Sequence, residues 1–259
     1  MVRKLYKHEA LFYLRWFIPI AAACVGIALI SKLTMLFPNN QITEIIKSMI
    51  ISVYISSLFA MIVFGIVIVS LRFFRSMFTH EGYFTHTIPV EPSALLNCKL
   101  ICGVLFMLVL VAVAGTSVFI MSLGQELAIV LNQIFKGFAS AFRNGEGLDV
   151  VLLIIEVCLC ALFFLLRTIL HVYCACSIGQ RMKSKIGGAI MWFFILYGIQ
   201  QGAGTVLELV FLPVLFNDSF STVTMHIMLS GYAFYQFAIA LTFYLISRYR
   251  IKNRLNLEQ

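Results

Sequence analysis

Six long apolar blocks separated by short polar segments organise this chain: roughly Phe17–Phe37, Met49–Leu71, Leu100–Leu123, Val150–His171, Ile186–Leu212 and Thr224–Ser247. About 20 apolar residues wound as a helix cross the ~30 Å hydrocarbon core of a bilayer. Each block is apolar all round, whereas a helix packed on a soluble core is apolar on one stripe. The pattern predicts an all-α polytopic membrane protein, with six transmembrane helices in a single transmembrane domain over 1–259. The first block outruns the h-region of a cleavable signal peptide. Lys32 and Pro38 follow it without a small-x-small cleavage site, so it reads as a retained span.

The polar segments carry patterns of their own. Over 1–16, a helix would gather Leu5, Tyr6, Phe12, Tyr13 and Trp16 on one face and Lys4, Lys7, His8 and Arg15 on another, with Glu9, Leu11 and Leu14 blurring the division. That suits an interfacial helix with its aromatic rings at headgroup level, either a simple anchor for the first span or a surface for a partner. Over 124–148, Leu127, Leu131, Ile134, Phe138 and Phe142 share a helical face while Asn132, Lys136 and Arg143 point away. This predicts an amphipathic helix on the outer surface, before "RNGEGLD" (Arg143 to Asp149) turns the chain back. The segment 72–99 is the most elaborate. It is expected to hold a short helix, a bend at Gly82, an extended "HTIPVE", and a new helix with Pro92 at its first position. Plain helix–helix connections run about 2–8 residues, so this one is built for more than connection.

Composition sharpens the class. The chain is 61% apolar and 12% charged, where soluble domains are nearer half apolar and a quarter charged. Nineteen lysines and arginines are distributed unevenly. With the N-terminus inside, Lys32, Lys47, Lys136 and Arg143 fall outside and the other fifteen fall inside. Both termini and the 72–99 segment are therefore expected to be cytoplasmic. This bias accounts for the net charge of +8 without nucleic acid. None of the seven cysteines falls in an expected outer loop, which favours reduced thiols over a disulfide framework. His171, Cys174 and Cys176 form H-x-x-C-x-C, but a metal site would want a fourth ligand. Small polarizable residues at a helix end are the simpler reading.

Ionisable side chains inside spans are costly and mark function by default. Glu156 lies about two turns, and Glu208 about one turn, from the expected outer ends of their blocks. Both are candidates for a substrate path. The competing reading is that each reaches the interface or finds a polar neighbour, and it is the simpler one for Glu208. Arg167, near an inner end, can snorkel. An active site finds little support. His80, Glu81 and His86 give H-E-x(4)-H, where a zinc helix needs H-E-x-x-H, and no G-x-S-x-G elbow occurs. No G-x-x-x-x-G-K-[ST] loop is present to cradle phosphates either. Gly198, Gly202 and Gly204 around Gln200 and Gln201 mark the fifth block as a place where a span could break, as in ion-coupled carriers. Packing through small residues is the simpler reading.

The stretch "EGYFTHTIPVEPSALLNCKL", Glu81 to Leu100, resembles the E-G-Y-x-T-x-T-L-P-V…L-x-x-K-L signature of bacterial ABC-2-type transporter permeases. "CSIGQRMKSKIGGAI", Cys176 to Ile190, is similar to the S-x-G-Q…K-x-K-x-x-G stretch of the same group, and the six-span layout agrees. The chain departs from that pattern at Ile88, where leucine is common, at Glu91-Pro92, where a serine usually caps the helix, and in its fairly long outer segment. The resemblance implies an ABC-2 (type V exporter-like) permease fold in a bacterial plasma membrane. It implies that 72–99 is a coupling loop seated in a cleft of a separate ATPase subunit, with the N-terminal helix nearby. Glu81, Gly82, Tyr83, Thr85, Thr87 and Pro89 match the docking motif, and Gly179 and Gln180 match the second stretch. The chain itself would then hold no cofactor, no metal and no catalytic residue. ATP and Mg would belong to the ATPase. A second permease subunit, identical or related, would complete the pathway for a peptide or an amphiphilic drug-like substrate. The alternative is an ion-coupled secondary transporter.

Overall fold

In the computed structural model the described residues are 2–38, 40–87, 90–123, 125–215 and 222–253, and every regular element among them is an α-helix. The helices are α1 (Val2–Met35), α2 (Gln41–Phe78), α3 (His80–Thr87), α4 (Pro92–Ser122), α5 (Gln125–Arg143), α6 (Gly147–Gly179), α7 (Lys185–Leu215) and α8 (Thr222–Asn253). Six of them are long and apolar enough to cross a membrane, so the chain has the build of a multi-pass membrane protein. With 31 to 38 residues each, they reach roughly 45–57 Å at 1.5 Å per residue, beyond the hydrocarbon core at one or both ends. Their outer faces are apolar: Phe59 and Phe234 are each 72% exposed. Such side chains suit lipid, not water.

Three expectations change. The segment 1–16 is not a separate helix, because α1 runs unbroken into the first span. Nothing between Trp16 and Phe17 breaks it, and Pro19 is accommodated inside it, as membrane helices allow. The bend after α2 lies at Thr79, not at Gly82. Gly82 sits in the first turn of α3, donating its N–H to Thr79 O at 2.8 Å. The extended "HTIPVE" is accordingly helical as far as Thr87, while Ile88 and Pro89 lie outside the described residues. Finally, α7 continues through Gly198, Gly202 and Gly204 without a break. Pro92 does open α4.

The chain divides into two compact units, Met1–Val69 with Ile101–Gly137 and Ser70–Leu100 with Phe138–Gln259. In the first, Cys24, Ala28, Tyr54, Met61, Phe106 and Leu110 are buried. Tyr13 stacks on Phe106 at 4.9 Å between ring centroids. A Cβ on Gly65 would meet Leu110 Cδ1 at 2.5 Å, so α2 and α4 approach closely there. Ser117 Oγ joins Tyr54 Oη at 3.1 Å and Cys24 Sγ at 3.7 Å, a polar link within this interior. Lys32 donates to the carbonyls of Met121 and Leu123, a cation capping the C-terminal end of α4.

In the second unit α6 packs against both α7 and α8. Parallel contacts step along α6 and α8: Cys160 Sγ to Leu229 O at 3.4 Å, Phe163 to Phe237, and His171 to Phe243. Gly145, at φ +83°, makes the turn into α6, a left-handed conformation that glycine tolerates. The apolar side chains of α5, which straddles the division, are largely uncovered: Phe135 is 70% and Phe142 60% exposed. The helix is amphipathic and lies within the segment 124–148, with Gly124 and the Leu127 side chain outside the described residues.

Candidate functional site

The candidate site is the 72–99 segment and the helix ends it meets, all within the second unit. It begins in the last turn of α2. Phe73, Met77 and Phe78 are fully buried. The Phe73 ring lies flat on Tyr173 of α6, with centroids 3.7 Å apart and planes 10° from parallel, and Phe78 meets Phe73 edge-on. Tyr173 Oη donates to Lys99 O at 3.2 Å, and Tyr244 Oη donates to Asn97 Oδ1 at 2.8 Å. The end of α2, the start of α4, the end of α6 and α8 therefore share one base. Aromatic rings dominate its packing, and both tyrosine hydroxyls find acceptors.

On this base α3 projects. Arg72 at the end of α2 reaches Glu81 at 3.4 Å, across the bend at Thr79. Gly82 is buried, while Glu81, Tyr83 and Thr87 are exposed. The Thr85 side chain and Pro89 lie outside the described residues. Glu91 takes the cap position of α4. Its carbonyl accepts from the N–H groups of Ala94 and Leu95, and its carboxylate accepts from Ser93 Oγ at 3.0 Å. An acid there complements the helix dipole.

The α6–α7 turn adjoins the same base. Lys185 donates to Phe78 O at 3.4 Å, a cation at the C-terminal end of α2. Ser184 Oγ caps α7 by accepting from Gly187 N–H at 3.1 Å. A Cβ on Gly179 would run into the backbone of Gly188 and Ala189, and one on Gly188 into the Gly179 carbonyl. Gln180 is wholly buried, its amide donating to Ser177 O at 2.9 Å. Gly179 and Gln180 are thus internal parts of the turn. Arg181, Met182, Lys183 and Ser184 are the residues it exposes. Together the two segments present a short helix with an exposed acid, Glu81, and a tight turn with two exposed basic side chains, Arg181 and Lys183, on a shared base.

Glu156 and Glu208 behave differently from each other. Glu156 Oε2 pairs with His226 Nδ1 of α8 at 2.8 Å, each side chain about one-fifth exposed. Glu208 is exposed on α7. Deeper in the bundle, His171 Nε2 meets Phe193 O at 3.0 Å and its Nδ1 meets the Gln200 amide. Tyr235 Oη donates to Gln200 O at 2.8 Å. With the Gln200 amide donating and Nε2–H donating, a neutral imidazole satisfies both contacts. Both His171 nitrogens are therefore engaged, and no group of three or more His, Cys, Asp or Glu side chains able to hold a metal occurs among the described residues. His226, Tyr235 and the buried Gln236 escaped the sequence reading. All three lie on α8, and the partners of His226 and Tyr235 stand 70 and 35 residues away in the chain. No family model matches the chain, and no curated protein or solved structure matches it.

Proposed function

We propose that this chain is the membrane-spanning permease subunit of a bacterial ATP-binding cassette transporter of the ABC-2 type. The observation that carries the reading is α3. Glu81, Gly82, Tyr83, Thr85 and Thr87 of the docking-like motif fall in a separate short helix between two spans, joined by Arg72–Glu81 to the helix end that carries the Phe73–Tyr173 stack. The lysine and arginine bias supports a cytoplasmic location for this helix and both termini. A separate ATPase binds ATP and Mg and docks on α3 and the exposed Arg181–Ser184 turn. A second permease subunit, the same or related, completes the pathway. Nucleotide-dependent binding of the ATPase shifts the permease between alternate packings.

The substrate class we propose is a peptide or an amphiphilic drug-like molecule, exported across the plasma membrane. Substituting Gly82→Leu tests the docking assignment. A leucine at this buried position disturbs the first turn of α3 and leaves the six spans untouched. Assembly with the ATPase is expected to fall while membrane insertion stays normal. Normal co-purification with full transport-coupled ATPase activity would overturn the assignment. The second reading, an ion-coupled carrier, draws on the Glu156–His226 pair within the spans. It requires transport driven by an ion gradient with no ATPase present.

A further inference from the structure

A groove of about 360 Å³ runs along the first unit between α1 and α2. Trp16, Pro19, Ala23 and Ile27 form its α1 wall, Ala60 and Phe64 belong to its α2 wall, and the buried Cys24 and Met61 lie at its floor. Ser57 is its one hydroxyl, and that hydroxyl already donates to Tyr54 O at 2.7 Å. Sites for drug-sized molecules carry a few polar groups that fix orientation. This groove offers none, so its occupant is hydrocarbon.

Length and charge identify the hydrocarbon. From Trp16 to Ile27 the helix rises about 16 Å at 1.5 Å per residue, close to half of the ~30 Å core, one leaflet deep. Trp16 stands at the N-terminal end, 47% exposed, where indole rings favour the headgroup level. Arg15, exposed, lies one turn below Pro19 on nearly the same stripe, with exposed Lys4 and Lys7 beyond it. The apolar trough therefore opens at a basic mouth. We infer that the α1–α2 groove is a binding site for one anionic phospholipid of the leaflet on the N-terminal side, its acyl chain in the groove and its phosphate at Arg15. This goes beyond the permease reading and does not depend on it.

The test uses the purified full chain in mixed micelles carrying phosphatidylglycerol or phosphatidylcholine, with retained lipid counted by native mass spectrometry. One phosphatidylglycerol per chain is expected to survive detergent exchange, and phosphatidylcholine is not. Ala23→Trp fills the groove and is expected to abolish retention. Arg15→Glu changes an exposed side chain without touching the core, and is expected to cut the preference for the anionic lipid at least about fivefold, the weight of one basic side chain at an anionic surface. Equal retention of both lipids by the unaltered chain, or an unchanged preference in Arg15→Glu, would overturn the site. So would a lipid-free dimer that Ala23→Trp dissociates, which would assign the groove to a second copy of the chain.

Discussion

Reversing the charge of Glu81 separates a local role from a docking role. Glu81 pairs with Arg72 at 3.4 Å, but its side chain is 59% exposed. An exposed ion pair contributes about 0.2–1 kcal/mol, so its loss changes the population of the α3 conformation by about fivefold at most. A charge desolvated in an interface is different: removing its partner costs about 2–5 kcal/mol, or roughly 30-fold to several thousand-fold in Kd. Under the permease account, Glu81→Arg weakens ATPase binding at least about 30-fold. The double reversal Arg72→Glu/Glu81→Arg restores the local pair and leaves binding weak. The assay is titration of the ATPase onto the permease in lipid nanodiscs, read by interferometry at two salt concentrations. A loss of fivefold or less in Glu81→Arg, or full rescue by the double reversal, would refute the docking role and leave Glu81 as a brace for α3.

Three further outcomes follow from the packing. Gly188→Ala places a methyl against the Gly179 carbonyl and is expected to cost at least about 1–3 kcal/mol, read as a lower melting temperature. Gly202→Ala, with nothing within 4 Å of the new Cβ, is expected to be neutral or to gain up to about 1 kcal/mol; equal losses at both positions would contradict the close approach of α6 and α7. Tyr173→Phe keeps the stack on Phe73 and removes one hydrogen bond, costing about 0.5–1.5 kcal/mol, whereas Tyr173→Ala empties a fully buried site at about 3–5 kcal/mol; similar melting shifts for the two would remove Tyr173 from the base. For Glu156→Gln and His226→Gln, a double-mutant cycle is expected to give a coupling of about 1.5–3 kcal/mol; additivity within about 0.5 kcal/mol would dissolve the pair.

The spans were legible because membrane burial writes itself into twenty consecutive positions, and the α4 start because Pro92 fixes its own geometry. Gly82 misled because glycine's intrinsic cost in a helix, about 1 kcal/mol, is a local quantity. Burial of Gly82 and the Arg72–Glu81 pair offset it, and both depend on tertiary structure. Gln180 lies in a polar stretch between two apolar blocks, yet the tight Gly179–Gly188 approach folds it inward. Glu156 was flagged by its charge, but its partner stands 70 residues away, and a lone histidine in an apolar helix carries no periodic signal.

The central claim is that this chain is driven by a separate motor. The most direct test is purification of the tagged chain from its native membrane in mild detergent, with mass spectrometry of what accompanies it. The account predicts a stoichiometric P-loop ATPase that is lost from the Gly82→Leu variant. A folded preparation with no ATPase, in vesicles that accumulate substrate on an ion gradient alone, would contradict it.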